Sequence, residues 1–205
     1  MKVKVCGLSN IVEVEVSVDH GADYCGFILN YPKSHRHVSL DQAKKLTNIK
    51  KKDSKYVGVL VNPNQEELKI FSDLNFDYFQ LYGNYDDETI VKIKDKYKKK
   101  IITSIQVKKK QDVMRYKKIE ASSDIVLWDS SGYEDSLSWN YNWVGDISIK
   151  TEKMLAGNIT IDKLEYISQL AQIADVSGAL ETNKVKDINK IIKFLKKKKT
   201  INDEN

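Results

Sequence analysis

Two residues in this sequence stand where a proton could be moved. Cys6 closes the apolar run Val3–Cys6 and is followed by Gly7. A thiolate is a base, and its reference pKa of about 8.5 falls at a helix N-terminus. A buried cysteine is otherwise a small hydrophobe, and position alone leaves these two readings even. Asp129 directly follows Ile125-Val126-Leu127-Trp128. Burial there raises a carboxyl pKa and keeps a proton available at neutral pH, as a general acid requires. The competing reading of Asp129 is a cap for the turn Ser130-Ser131-Gly132.

Other residues suit anion recognition. Arg36 and Arg115 are the only arginines in a chain rich in lysine, and a planar guanidinium can grip a carboxylate through two bonds, which lysine cannot. A surface arginine is the plainer alternative. His35 and His37 flank Arg36, but His-x-His without an acidic partner is a weak metal signature, and no metal is assigned. Gly157-Asn158 and Ser177-Gly178-Ala179 each follow an apolar run, where backbone N–H groups can meet a phosphate. Ser136 lies in a loop able to cover it. Ordinary turn chemistry is the alternative reading of the same residues.

These positions acquire meaning from the elements around them. Short apolar runs recur at Val3–Cys6, Tyr24–Leu29, Tyr56–Val61, Tyr78–Leu81, Ile101–Ile105, Ile125–Trp128, Met154–Ala156 and Ile173–Val176. Charged, helix-like stretches separate them. Near-continuous apolar strands alternating with amphipathic helices imply a parallel sheet. Eight such units predict an α/β fold, a single (β/α)8 barrel spanning 1–205 with 200–205 frayed. The stretch Ile11–Val18 alternates like a strand, but the crossover requirement and a cap at Ser9 or Asn10 make it a helix. The polar segment Lys108–Glu120 predicts a short or irregular fifth helix. Asp23, Asp77 and Asp124 each precede an even-numbered strand, a faint internal echo that suggests turn-forming side chains.

The chain has 205 residues and a net charge of +5. Lysine is spread throughout, and the runs Lys50–Lys52, Lys98–Lys100, Lys108–Lys110 and Lys196–Lys199 read as solvated faces rather than a nucleic-acid surface. No apolar run approaches the ~18 residues of a membrane span. The start, Met1-Lys2-Val3-Lys4-Val5, reads directly into a strand and lacks a signal-peptide core. Two cysteines, Cys6 and Cys25, make no disulfide framework, so a cytoplasmic location is expected. Cys25 reads as core.

Barrel active sites gather at the C-terminal ends of the strands. Those ends read, in order, Lys4-Val5-Cys6-Gly7, Ser34-His35-Arg36, Val57-Gly58-Val59-Leu60-Val61-Asn62, Gln80-Leu81-Tyr82-Gly83, Asp129, Leu155-Ala156-Gly157-Asn158 and Asp175-Val176-Ser177-Gly178-Ala179-Leu180-Glu181. This series resembles the phosphoribosylanthranilate isomerase family, whose pattern runs Lys-x-Cys-Gly, Ser-Pro-Arg, Val-Gly-Val-x-x-Asn, Gln-Leu-His-Gly, Asp, Leu-Ala-Gly-Gly and Asp-Val-Ser-Ser-Gly-x-Glu. The resemblance covers essentially the whole chain. It departs at His35 for proline, Tyr82 for histidine, Asp135–Ser138 for a glycine-rich loop, Asn158 for glycine, and Ser177-Gly178-Ala179 for Ser-Ser-Gly. Most departures fall in phosphate-side loops.

The resemblance implies an Amadori rearrangement in tryptophan biosynthesis, with Cys6 as base, Asp129 as acid and no cofactor. It implies that Arg36 holds the anthranilate carboxylate, that Asp175 contacts the substrate amine or orients loops, and that Gly157, Asn158, Ser177, Gly178, Ala179 and Ser136 serve the phosphate. The expected partner is a small phosphorylated molecule, not nucleic acid or membrane, with the chain a monomer or homodimer. The alternatives are another phosphate-binding barrel enzyme, of epimerase or thiamine-phosphate synthase type, and an inactive barrel that binds a phosphorylated metabolite. Trp128 and Trp143 read as packing residues, while Trp139 is a candidate for stacking on the substrate ring.

Overall fold

The computed structural model describes residues 1–130 and 137–204. Eight parallel strands close into a barrel in sequence order: β1 (Lys2–Cys6), β2 (Tyr24–Ile28), β3 (Lys55–Val61), β4 (Tyr78–Tyr82), β5 (Lys100–Val107), β6 (Ile125–Ser130), β7 (Glu152–Leu155) and β8 (Ile173–Val176). β1 pairs with β8 to complete the ring, with Lys4 opposite Asp175. Side chains alternate across a strand. Val3, Val5, Phe27, Leu60, Phe79, Ile101 and Trp128 pack in the layer beneath the helices, whereas Tyr24, Val57, Tyr78, Ile102, Leu127, Met154 and Ile173 form a second cluster with Cys6 and Tyr82. That cluster is the plug on which the site rests.

The crossovers are α1 (Ile11–Asp19), α2 (Leu40–Thr47), α3 (Gln65–Ser72), α4 (Asp87–Tyr97), α5 (Leu164–Leu170) and α6 (Ile188–Asp203). The strand-like Ile11–Val18 is indeed helical. Asn10 accepts the Glu13 N–H and starts α1, burying Val14 and Val18. The irregular fifth crossover is a 3-10 helix, Lys110–Lys118. Its buried residues, Val113 and Tyr116, followed by Ile119, recur every third position, which suits three residues per turn better than 3.6. The sixth crossover carries a 3-10 turn at Tyr141–Val144.

The aspartate echo has a structural meaning, though not the local one expected. Asp23, Asp77 and Asp124 accept backbone N–H groups of Val3, Tyr56 and Ile101 in the preceding strand. Each also pairs with a lysine: Lys198, Lys51 and Lys94. Two expectations are therefore corrected. Lys198 is not solvated; it buries its stem and caps the base of the barrel at Asp23 and the Gly21 carbonyl. Nor does the chain fray from Thr200, because α6 continues to Asp203, Ile201 is buried and Asn202 bonds Met1. The amphipathic spacing Ile191, Phe194, Leu195, Ile201 holds it down.

Candidate active site

One cavity opens at the C-terminal ends of the strands. Its walls include Cys6, Arg36, Asp129, Gly157, Asn158, Asp175, Ser177, Gly178 and Ala179. The catalytic, substrate-binding and phosphate candidates named from the sequence all line it except Ser136, which lies outside the described residues; Trp139, the stacking candidate, is not among its walls.

On the β1 side, Gly7 and Leu8 both donate their N–H groups to the Gly26 carbonyl, which fixes the chain as it leaves Cys6. The strand period places Lys4 and Cys6 on one face. The Lys4 ammonium donates to both oxygens of Asp175, at 3.0 and 2.9 Å, and all of Lys4 is buried. Gly26 makes the room: a Cβ there would lie 2.9 Å from the Cys6 sulfur and 3.1 Å from the Lys4 nitrogen. Burial works against the Lys4 charge, but Asp175 and Cys6 outweigh it and hold the ammonium up at about 12. Burial pushes the Asp175 carboxyl upward, and Lys4 pulls it back; the two-point contact favours the ionised pair.

The expected helix-terminus effect on Cys6 is corrected. α1 starts only after Asn10. Burial pushes the thiol up, and the group that chiefly opposes that rise is Lys4. The cation that favours the thiolate thus comes from the same strand.

Asp129 is the penultimate residue of β6, opposite Gln106. Its Oδ2 accepts the Tyr82 hydroxyl at 2.6 Å, and its Oδ1 accepts the Ser130 N–H at 2.7 Å. The turn-cap reading is thus partly true of the same carboxyl. Burial raises it to about 6, against the pull of Tyr82. Gln80, on the same face of β4, donates its amide to the Tyr82 oxygen at 3.2 Å.

Arg36 is buried, with Nε 2.5 Å and Nη2 2.9 Å from the Glu181 oxygens. Gly7, at φ +75°, makes its passage possible, because a Cβ there would fall 2.5 Å from Arg36 Cδ. Lys186 reaches Glu181 at 2.5 Å and Ser177 at 3.3 Å. Burial would raise the Glu181 carboxyl, but Arg36 and Lys186 hold it at about 2. His35 joins this cluster at Glu181, whereas His37 turns to the Leu29 carbonyl, so the pair does not converge on one point.

At the ends of β7 and β8, Asn158 has φ +52°, and asparagine is one of the few residues that accepts this left-handed conformation in place of glycine. Asn158 thus adopts a φ that glycine would also accept. Ser177 spends its hydroxyl on the Cys6 carbonyl, which makes it a tie between β8 and β1. Trp139 donates to the Ala156 carbonyl and packs on Tyr141, anchoring its loop to the end of β7. Trp128 is fully buried, bonded to the Val113 carbonyl. Cys25 is core.

Four partners escaped the sequence reading as functional groups: Lys4, Tyr82, Glu181 and Lys186. Lys4 carried a usable signal, since it stands two residues from Cys6 on one strand. Glu181 and Lys186 arrive through a two-stranded hairpin, Glu181–Thr182 against Val185–Lys186, that has no periodic signature.

Residues 3–197 match the family model for N-(5'-phosphoribosyl)anthranilate isomerase. An N-(5'-phosphoribosyl)anthranilate isomerase of Streptococcus mutans is 35% identical over 95% of this chain and 96% of its own length. The phosphoribosylanthranilate isomerase structure from Thermotoga maritima superposes with a TM-score of 0.84 at 26% identity, covering 98% of this chain and 99% of that one. A further isomerase structure, in complex with reduced 1-(o-carboxyphenylamino)-1-deoxyribulose 5-phosphate, has a TM-score of 0.80 at 25% identity, covering 98% of this chain and 99% of that one.

Proposed function

The chain belongs to the N-(5'-phosphoribosyl)anthranilate isomerase family, and on that premise we propose that Cys6 and Asp129 are the base and the acid of its reaction. The activity is the Amadori rearrangement of N-(5'-phosphoribosyl)anthranilate to 1-(o-carboxyphenylamino)-1-deoxyribulose 5-phosphate in tryptophan biosynthesis. Asp129 gives a proton to the furanose oxygen as the ring C–O bond breaks and the amine lone pair forms an iminium. The Cys6 thiolate then takes the proton from the adjacent sugar carbon. The electron pair of that C–H bond neutralises the iminium to an enolamine, which tautomerises to the aminoketose.

The observation that carries this reading is the shared cavity: an acid at the end of β6 and a base at the end of β1 face one space. Lys4 stabilises the thiolate, and Asp175 holds Lys4 in place rather than meeting the substrate amine first. Glu181 holds the guanidinium of Arg36 through Nε and Nη2, and Arg36 so fixed is the partner for the anthranilate carboxylate. Gly157, Asn158, Gly178 and Ala179 serve the phosphate through their backbone, with Ser177 fixing the turn. The same reading makes 1–205 one domain, a monomer or homodimer in the cytoplasm that acts on a small phosphorylated molecule and not on nucleic acid. No described helix is long and apolar enough to cross a membrane.

Expression in a tryptophan auxotroph lacking this isomerase tests the activity. Growth without tryptophan, together with loss of substrate fluorescence in vitro, is the expected outcome. Soluble protein that gives neither contradicts it.

A further inference from the structure

We propose that Tyr82 is a positioning residue for the acid: its hydroxyl, steered by Gln80, fixes Asp129 Oδ2 as the accepting oxygen and stabilises the carboxylate left when the proton is transferred. This rests on the reading of Asp129 as the acid. The hydrogen bonds run in one direction. Gln80 lies wholly inside the barrel, and its amide N–H points at the Tyr82 oxygen. An amide N–H can only donate, so it occupies a lone pair of the phenol oxygen and leaves the phenol to donate onward. The onward partner is Asp129 Oδ2 at 2.6 Å, the distance of a charge-assisted bond.

The consequence for the chemistry follows from where charge appears. A protonated Asp129 whose Oδ2 accepts from Tyr82 carries its proton on Oδ1, the oxygen that also accepts the Ser130 N–H. As that proton leaves, the charge grows on both oxygens, and the bond from Tyr82 strengthens with it. Burial holds the phenol well above 10, so Tyr82 remains a donor through the working pH range. The other titratable groups that bear on Asp129 are Lys4 from β1, Asp175 from β8 and Tyr141 from the 3-10 turn, while Cys6 lines the same cavity and bears on Tyr82. Lys4, Asp175 and Tyr141 act on the carboxyl through space, whereas Tyr82 is hydrogen-bonded to it.

The test is Tyr82→Phe in the full chain, read in two ways. Asp129 is titrated by carboxyl carbon NMR, its resonance assigned by its loss in Asp129→Asn. Its pKa is expected to rise by about one unit in Tyr82→Phe, and kcat to fall about tenfold with KM within threefold. An unmoved Asp129 titration overturns the proposal, and so does a moved titration with kcat within twofold of the parent. The underlying reading fails separately, if Asp129→Asn itself keeps its turnover.

Discussion

On the β1–β8 side of the cavity the functional groups are held by formal charge. Lys4, Asp175, Arg36, Glu181 and Lys186 form two buried ionic clusters beside Cys6 and the Ser177 turn. On the β4–β6 side the proposed acid, Asp129, is held by neutral donors, namely Tyr82, the Ser130 N–H and, one step back, Gln80. The difference matches the two tasks. A base is more effective when its anionic form is favoured, and cations supply that. An acid must keep its proton near neutrality, which a close cation would oppose. Burial raises both groups. At Cys6 the Lys4 ammonium leads the pull against that rise, whereas at Asp129 a neutral phenol leads it and Lys4 contributes least.

The contrast breaks most readily at Lys4. Lys4→Met strands the buried Asp175 carboxyl, and a stability loss of about 3–5 kcal/mol is expected in chemical denaturation. Lys4→Met combined with Asp175→Asn should recover most of that stability while turnover remains at least about a hundredfold down, because the thiolate has lost its cation. Recovery of activity along with stability would show that Lys4 serves only the fold.

Asp129→Asn separates the two sides in the opposite sense. The folded carboxyl titrates at about 6 against an ordinary 3.8. A raised carboxyl contributes fully below its unfolded value, and that contribution is lost as pH rises through the folded value. Removing it should therefore stabilise the protein above pH 6 by about 1–2 kcal/mol and give no gain at pH 4. Denaturation at both pH values checks this, and an equal gain at both would contradict it.

Glu181→Gln sharpens the role of the charged cluster. Arg36 loses its anionic partner but keeps a hydrogen-bonding one. KM is expected to rise about tenfold with kcat within threefold, because what is lost is alignment of a binding group. A fall in kcat without a change in KM would place Glu181 in the chemistry instead. The smallest effect belongs outside both walls: Asn158→Gly should leave KM within twofold, since glycine accepts the same φ, whereas Asn158→Ala should cost about 1 kcal/mol from a strained backbone.

Much of this was legible in the residues. Eight apolar runs marked all eight strands within a few residues, and the strand ends then pointed to nearly the whole cavity lining. The Val113, Tyr116, Ile119 spacing even carried its own 3-10 period. What stayed hidden was who holds whom. Lys4 meets Asp175 only because the barrel closes, and Arg36 meets Glu181 across most of the chain length. A helix-terminus argument for Cys6 failed because α1, capped at Asn10 as one of the two caps the sequence offered, begins several residues beyond the cysteine, whereas Lys4, two residues away, was in plain view.

The central claim is that one thiol and one carboxyl carry out the proton transfers. Steady-state turnover of Cys6→Ala and of Asp129→Asn, set beside the affinity of each for reduced 1-(o-carboxyphenylamino)-1-deoxyribulose 5-phosphate, tests it most directly. Each variant is expected to lose at least about a thousandfold in kcat while binding the analogue within a few-fold of the parent. Either variant keeping a tenth or more of the parent's turnover would contradict it.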